Sequence, residues 1–258
     1  MSEPFKEPMI LACIDGSKYN ESVCRYASWI ARVVDAPLKL LHTIEHPKTA
    51  AVSDLTGAIG LGASEDLLKE LTTIEQQRYR LLIEKGNAML QSAKKNAQEM
   101  GVKEIQTRQR HGTLAETLVE LEQQIRVLVL GIHGENHAQD QAGIGVQLET
   151  TIRALHKPIL VVNTIFSEPK NIMLAYDGSE SCDRALQLIA EGPLFKAMTC
   201  HLVHVSESSR TAEQLLAPAA QELTESGINV VSVHLSGQIE KVLAEYQAKH
   251  AIAVSYTH

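Results

Sequence analysis

Aromatic residues are scarce in this chain: Phe, Trp and Tyr together make up 4% of 258 residues. Its cores must therefore be filled by Val, Ile, Leu and Ala. Apolar types reach 44%, enough to bury real cores in a chain long enough for two domains of ordinary size. Cysteine is as sparse. Cys13, Cys24, Cys182 and Cys200 form no CxxC pair and no metal-ligand spacing, which favours buried, reduced thiols over a redox or zinc role. No apolar run approaches roughly 18 residues, and the opening MSEPFKEP has no apolar signal core. A soluble cytoplasmic protein with no membrane attachment is expected.

Positive charge is also short. The formal net charge is −7 and the pI about 5.9. A sequence-independent DNA or RNA binder needs a cationic surface, so no nucleic-acid partner is expected, while a small nucleotide stays open. No GxSxG elbow, Walker GxxxxGK[ST], HExxH, Cys–His nucleophile arrangement or SGGxDS loop stands out. No residue is placed for general acid–base work, and the reading is of a non-enzyme.

What the chain does have is repetition. MILACIDGSK at 9–18 returns as NIMLAYDGSE at 171–180, and Asp177 follows Asp15 by 162 positions (177 − 15). MILACI is a continuous apolar run, suited to a strand buried on both faces. The segment 17–34 then shows helical spacing through Val23, Ala27, Ile30 and Val34, and PLKLLHTI (37–44) is a second strand. Residues 51–65, with Gly57, Gly60 and Gly62, read as a loop. From Asp66 to Met100 the spacing predicts a long helix with Leu67, Leu68, Leu71, Ile74, Leu81, Leu82 and Leu90 on its apolar face. Gly86 argues against an unbroken helix, and Gly101 would stop it. VKEIQTRQRH (102–111) reads as a strand near the sheet edge. Thr113 and Glu116 have capping-box spacing before the next helix. IRVLVLG (125–131), a Gly-rich loop, a helix around 146–155 and PILVVN (158–163) complete the unit.

Alternation of strands and helices at these lengths implies a parallel α/β sheet of five strands with right-handed crossovers. The expected domains are 1–163 and 171–258, joined by a linker at 164–170. The second copy repeats the order through AIAV (251–254) and then lacks the last loop, helix and strand. That reads as a C-terminally incomplete domain with an uncovered sheet edge. No site is rested on 255–258.

In an open parallel sheet, ligands sit outside the carboxyl ends of the strands, where strand order reverses. In the first domain that rim carries Asp15-Gly16-Ser17 and Gly131-Ile132-His133-Gly134. Glycines there let backbone N–H groups approach a phosphate, and the helix after Gly145 adds a positive dipole end. Asp15 suits a ribose or adenine hydrogen bond, or Mg²⁺ through water. A plain helix cap explains Asp15 equally well. His133 and His137 lie four apart in a loop, a weak metal pair. His42 and His204 correspond in the two copies, and a packed strand-end histidine is the default reading.

Taken in order and spacing, the strand ending in DGS, then VLVLG, G-x-x-G, a later Gly, a helix and KPILVV resemble the universal stress protein family, once per copy. The resemblance implies two tandem Rossmann-like domains of the adenine nucleotide alpha hydrolase-like kind, strand order 3-2-1-4-5, with bound ATP in many members. It also implies domain–domain pairing through the last strands, and a homodimer as a possible assembly. The family's motif G-2x-G-9x-G-(S/T) falls on Gly131, Gly134 and Gly145, with ten residues instead of nine before Gly145 and Val146 where Ser or Thr is usual. Asp15 matches the acidic residue after the first strand, with Gly16 and Ser17 beside it. Thr43 and Ile44 match the rim near the adenine. In the second copy only Asp177 and, more loosely, His204-Val205 match.

The expected function is a non-catalytic stress-response protein binding ATP (with Mg²⁺) or a small anion and an unknown protein partner. Two rivals stay open: an interaction protein with a degenerate site, using loop 51–65, and a slow ATPase.

Overall fold

The computed structural model describes residues 8–44, 61–132, 150, 153, 155–252 and 254–256. The chain divides into two compact units, Met1–Phe166 and Ser167–His258. The division falls inside the stretch read as a linker. Phe166 belongs to the first unit because its ring meets Tyr26 edge-on at 4.8 Å, with the Arg25 guanidinium over its face.

The first unit runs β1 (Met9–Cys13), α1 (Asn20–Val33), β2 (Leu38–Ile44), α2 (Leu61–Glu99), β3 (Ile105–His111), α3 (Leu114–Leu121), β4 (Ile125–Gly131) and β5 (Ile159–Val162). The strands form one parallel sheet in the order β3-β2-β1-β4-β5. Central β1 is sealed on both faces, with Met9, Ile10, Leu11 and Ala12 fully buried. That is why its sequence is a continuous apolar run and not an alternating one. Leu11 and Leu41 face α3 and pack with Leu118, Leu121, Leu128 and Leu130. Successive strand residues point to opposite faces, so Ile10 and Ala12 face the α1–α2 side.

Local signals explain most boundaries. The Thr113 hydroxyl accepts from Glu116 N–H at 3.3 Å, and the Glu116 carboxylate accepts from Thr113 N–H at 3.2 Å, a complete capping box at the start of α3. Gly101, at φ +84°, ends the turn after α2 in a conformation that side chains resist.

Helix α2 departs from the sequence reading in three ways. It begins at Leu61, so 61–65 is helix and not loop. It continues unbroken through Gly86. And its apolar face is not buried along its described length: Leu90, Ala93 and Ala97 are buried, whereas Leu71, Ile74 and Leu81 are exposed. Gly86 is required by close approach. A β-carbon there would lie 2.5 Å from His42 Cδ2 and 2.6 Å from the Gln109 amide nitrogen. The glycine is the gap that lets the helix settle onto β2 and β3.

The second unit runs β6 (Asn171–Ala175), α4 (Glu180–Glu191), β7 (Thr199–Val205), α5 (Ser209–Glu225), β8 (Asn229–Leu235), α6 (Ile239–Lys249) and β9 (Val254–Tyr256). Its parallel sheet has four strands in the order β8-β7-β6-β9. β9 pairs with β6 through Ile172↔Val254, Met173↔Ser255 and Leu174↔Tyr256, so residues 255 and 256 continue the strand.

The two units share an unusual feature at equivalent positions of their second strands. Each buries a base there, Lys39 in the first and His201 in the second. Burial, then Arg108 and Arg110, pushes the Lys39 ammonium below its ordinary value. His201 accepts from or donates to the Tyr246 hydroxyl at 2.8 Å, and the His250 ring lies 5.5 Å away. Burial, then His250, holds the His201 imidazole below its ordinary value of 6.5. A lowered native pKa means that the unfolded chain takes up the proton first as pH falls. The stability contribution of neutral His201 is therefore present above about pH 6.5 and lost below it. Urea unfolding of the second unit should show its midpoint falling between about pH 7 and 5. His201→Leu should flatten that part of the profile; an unchanged slope would show that other groups carry it.

Candidate functional site

The carboxyl ends of β1 and β4 lie side by side, with Ala12 opposite Val129. From there the chain moves away in opposite directions, from β1 toward β2 and from β4 toward β5. This is the switch point where an open α/β sheet leaves a crevice. Of the residues named from sequence, Asp15, Gly16 and Ser17 stand on it after β1, and Gly131 closes β4 beside them. Thr43 and Ile44 end β2 on the other side of β1. His133, Gly134, Gly145 and Val146, with His137, lie outside the described residues.

The turn after β1 is built as an acceptor element. Asp15 Oδ1 accepts the Ser17 N–H at 3.0 Å, and the Asp15 N–H is taken by Asn20 Oδ1 at 3.2 Å. Asp15 therefore does not cap α1, whose N-cap is Tyr19 with no side-chain cap bond. The cap reading fails because α1 starts too late for it. Two of the turn's own N–H groups, those of Asp15 and Ser17, are thus engaged within it. Asp15, by contrast, keeps acceptor capacity on its carboxylate for a hydroxyl or amine.

Ser17 adds a second polar group. Its hydroxyl oxygen is buried and has no hydrogen-bond partner among the described residues. A buried hydroxyl without a partner costs stability, so its presence calls for an explanation. The second unit supplies the contrast. There Asp177 Oδ1 accepts the Ser179 N–H at 2.8 Å, the same turn, but the Ser179 hydroxyl accepts from Cys182 N–H and caps α4. The hydrogen bonds from Ser179 hold the Asp177 carboxyl below the usual carboxylate range. So one copy uses its serine for the helix, and in the other the hydroxyl has no partner among the described residues.

Ile44 contributes less than its position suggested. Its side chain is buried and its carbonyl accepts the Gly112 N–H at 3.1 Å. Thr43 is half-buried on the same rim. Three of the thiols are chemically quiet. Burial and then Asp15 push Cys13 up to about 12, and burial pushes Cys200 up to about 12 and, as its main cause, Cys24 up to about 11. At neutral pH almost none is thiolate, the form that attacks or ligates. Among the described residues no group of three or more His, Cys, Asp or Glu could hold a metal ion, and no helix is long and apolar enough to cross a membrane.

The residue that sequence reasoning passed over is His42, read as ordinary packing. Its Nδ1 sits 2.7 Å from the Ile14 carbonyl, directly before Asp15. The available signal was its recurrence as His204 at the same place in the second copy.

Comparison with known proteins agrees with this architecture. The universal stress protein family model matches residues 9–163. A universal stress protein of Synechocystis sp. is 32% identical over 247 residues, covering 94% of this chain and 86% of that protein. The crystal structure of a universal stress protein from Archaeoglobus fulgidus shares the fold with a TM-score of 0.66 at 18% identity, over 96% of this chain and 83% of that one. Family match and full-length relative together place the chain, with its two α/β units in tandem, in the universal stress protein family.

Proposed function

We propose that this protein is a non-catalytic, ligand-responsive stress protein whose first unit binds ATP or a related small anion at the β1/β4 rim. The single observation that carries this reading is that the Asp15 carboxylate and the buried Ser17 hydroxyl, which has no partner among the described residues, stand together at the switch point. These residues suit a nucleotide. Asp15 would accept from a ribose hydroxyl, Ser17 would find the partner it lacks, and the loop opened by Gly131 would offer N–H groups to the phosphates. A bound Mg²⁺ would supply charge neutralisation for those phosphates. Function then follows from differential affinity: a ligand favouring one conformation shifts the balance between partner-bound and free protein.

Calorimetric titration of ATP with Mg²⁺ into the full chain tests the reading. Binding should be micromolar, and Asp15→Ala should weaken it by about tenfold or more, or about 1.4 kcal/mol. Absence of binding by calorimetry and by a second method would favour the interaction-protein reading. Val146, where relatives of this pattern would place a hydroxyl, is the observation that keeps it in view.

A further inference from the structure

Pairing of β1 with β2 ends at Cys13, opposite Leu41. The next residue, Ile14, is nevertheless fixed to β2 by both of its backbone groups. Its N–H donates to the Leu41 carbonyl at 2.7 Å, and its carbonyl is met by His42 Nδ1 at 2.7 Å. A carbonyl oxygen only accepts, so Nδ1 carries the proton and the ring tautomer is set. The imidazole takes over where backbone pairing stops, and the chain turns into Asp15-Gly16-Ser17 from that point. The second unit repeats the arrangement with different neighbours. Tyr176 N–H donates to Val203 carbonyl at 2.8 Å, and His204 Nδ1 meets the Tyr176 carbonyl at 2.7 Å, one residue before Asp177. Two copies with diverged sequences thus keep one side chain, one nitrogen and one distance. Packing alone would need only a ring of similar size.

We infer that His42 is a positioning residue for the rim site: its Nδ1–H fixes the Ile14 carbonyl and so sets where the Asp15–Ser17 turn leaves the sheet. Gly86 of α2 is part of the device. A β-carbon on it would come within 2.9 Å of His42 Nε2, so the glycine leaves the ring free to stand in this place. The consequence for ligand affinity rests on the proposed nucleotide reading; the positioning itself does not.

The test uses the full chain and two variants. His42→Phe keeps a ring and removes the donor. His42→Asn returns an amide N–H at about the reach of Nδ1. Imidazole ¹⁵N signals of the parent should report the Nδ1–H tautomer. In ligand-free protein, His42→Phe should move the Asp15 and Ser17 amide signals, and His42→Asn should bring them back toward the parent positions. Titrated with Mg²⁺ and ATP, His42→Phe should bind about tenfold more weakly, the size of one lost hydrogen bond, with His42→Asn recovering most of the loss. An Nε2–H tautomer in the parent would overturn the inference. So would unmoved amides in His42→Phe, or a folded His42→Asn that behaves like His42→Phe. If the parent binds no ATP, the nucleotide reading falls while tautomer and amide signals still decide the role of His42. If His42→Phe does not fold, the parent tautomer and His42→Asn decide it.

Discussion

Leu128→Ala should cost the first unit about 2–5 kcal/mol. Leu128 is fully buried on β4, pairs with Ile159 of β5, and packs in the cluster that joins the sheet to α3. Truncation removes three carbons from a site that strands on both sides hold in place, so little can collapse into the gap. A domain's whole stability is about 5–15 kcal/mol, so the first unit should lie close to its unfolding threshold at room temperature. Amide exchange in urea is the direct measurement. Protection of β1, β2 and β4 should drop together, because they share one core. A loss under 1 kcal/mol would mean that the α3 side of the sheet is loosely packed.

Gly86→Ala should also destabilise, against the usual sign. In an exposed helix interior, alanine is better than glycine by about 1 kcal/mol. Here the new methyl would meet His42 and Gln109 at distances that real contacts do not reach. Gln109 can move, since its amide makes only a long 3.4 Å bond to the Ile83 carbonyl. His42 cannot move without giving up Ile14. Overpacking of this kind costs about 1–3 kcal/mol, which outweighs the gain in helix propensity. The measured quantity is the shift in the urea midpoint of the first unit. A rise in stability would show that α2 rides further from the sheet than described.

These two residues illustrate what the sequence could and could not convey. The core of the sheet was readable because buried parallel strands must be apolar on both faces, as MILACI and VLVLG are. The capping box was readable because it is local: Thr113 and Glu116 suffice. The role of Gly86 is not readable for the opposite reason. A glycine in a helical pattern looks like a weak point unless one knows what stands opposite it, and His42 is 44 positions away. Periodicity puts Leu71, Ile74 and Leu81 on an apolar stripe, but periodicity does not say where a sheet ends. At Leu71, Ile74 and Leu81 the stripe of α2 is open to solvent. At the rim, Asp15 and Ser17 were identified by type and by family likeness. That one is an acceptor in a closed turn and the other a spare hydroxyl depends on where α1 begins, which spacing alone did not fix.

The start of that helix has a wider meaning. Helix α4 begins at Glu180, directly after Ser179, whereas α1 begins at Asn20, two places later than the equivalent position. The aspartate, glycine and serine are the same in both copies. The residues that follow differ: Lys18-Tyr19-Asn20 stands where the second copy has Glu180-Ser181-Cys182, and Asn20 Oδ1 takes the Asp15 N–H. With α1 starting two residues later, the Ser17 hydroxyl is not its cap, whereas the Ser179 hydroxyl caps α4. Change of this sort leaves the motif intact, so two domains with the same signature can differ in whether that signature is available to a ligand.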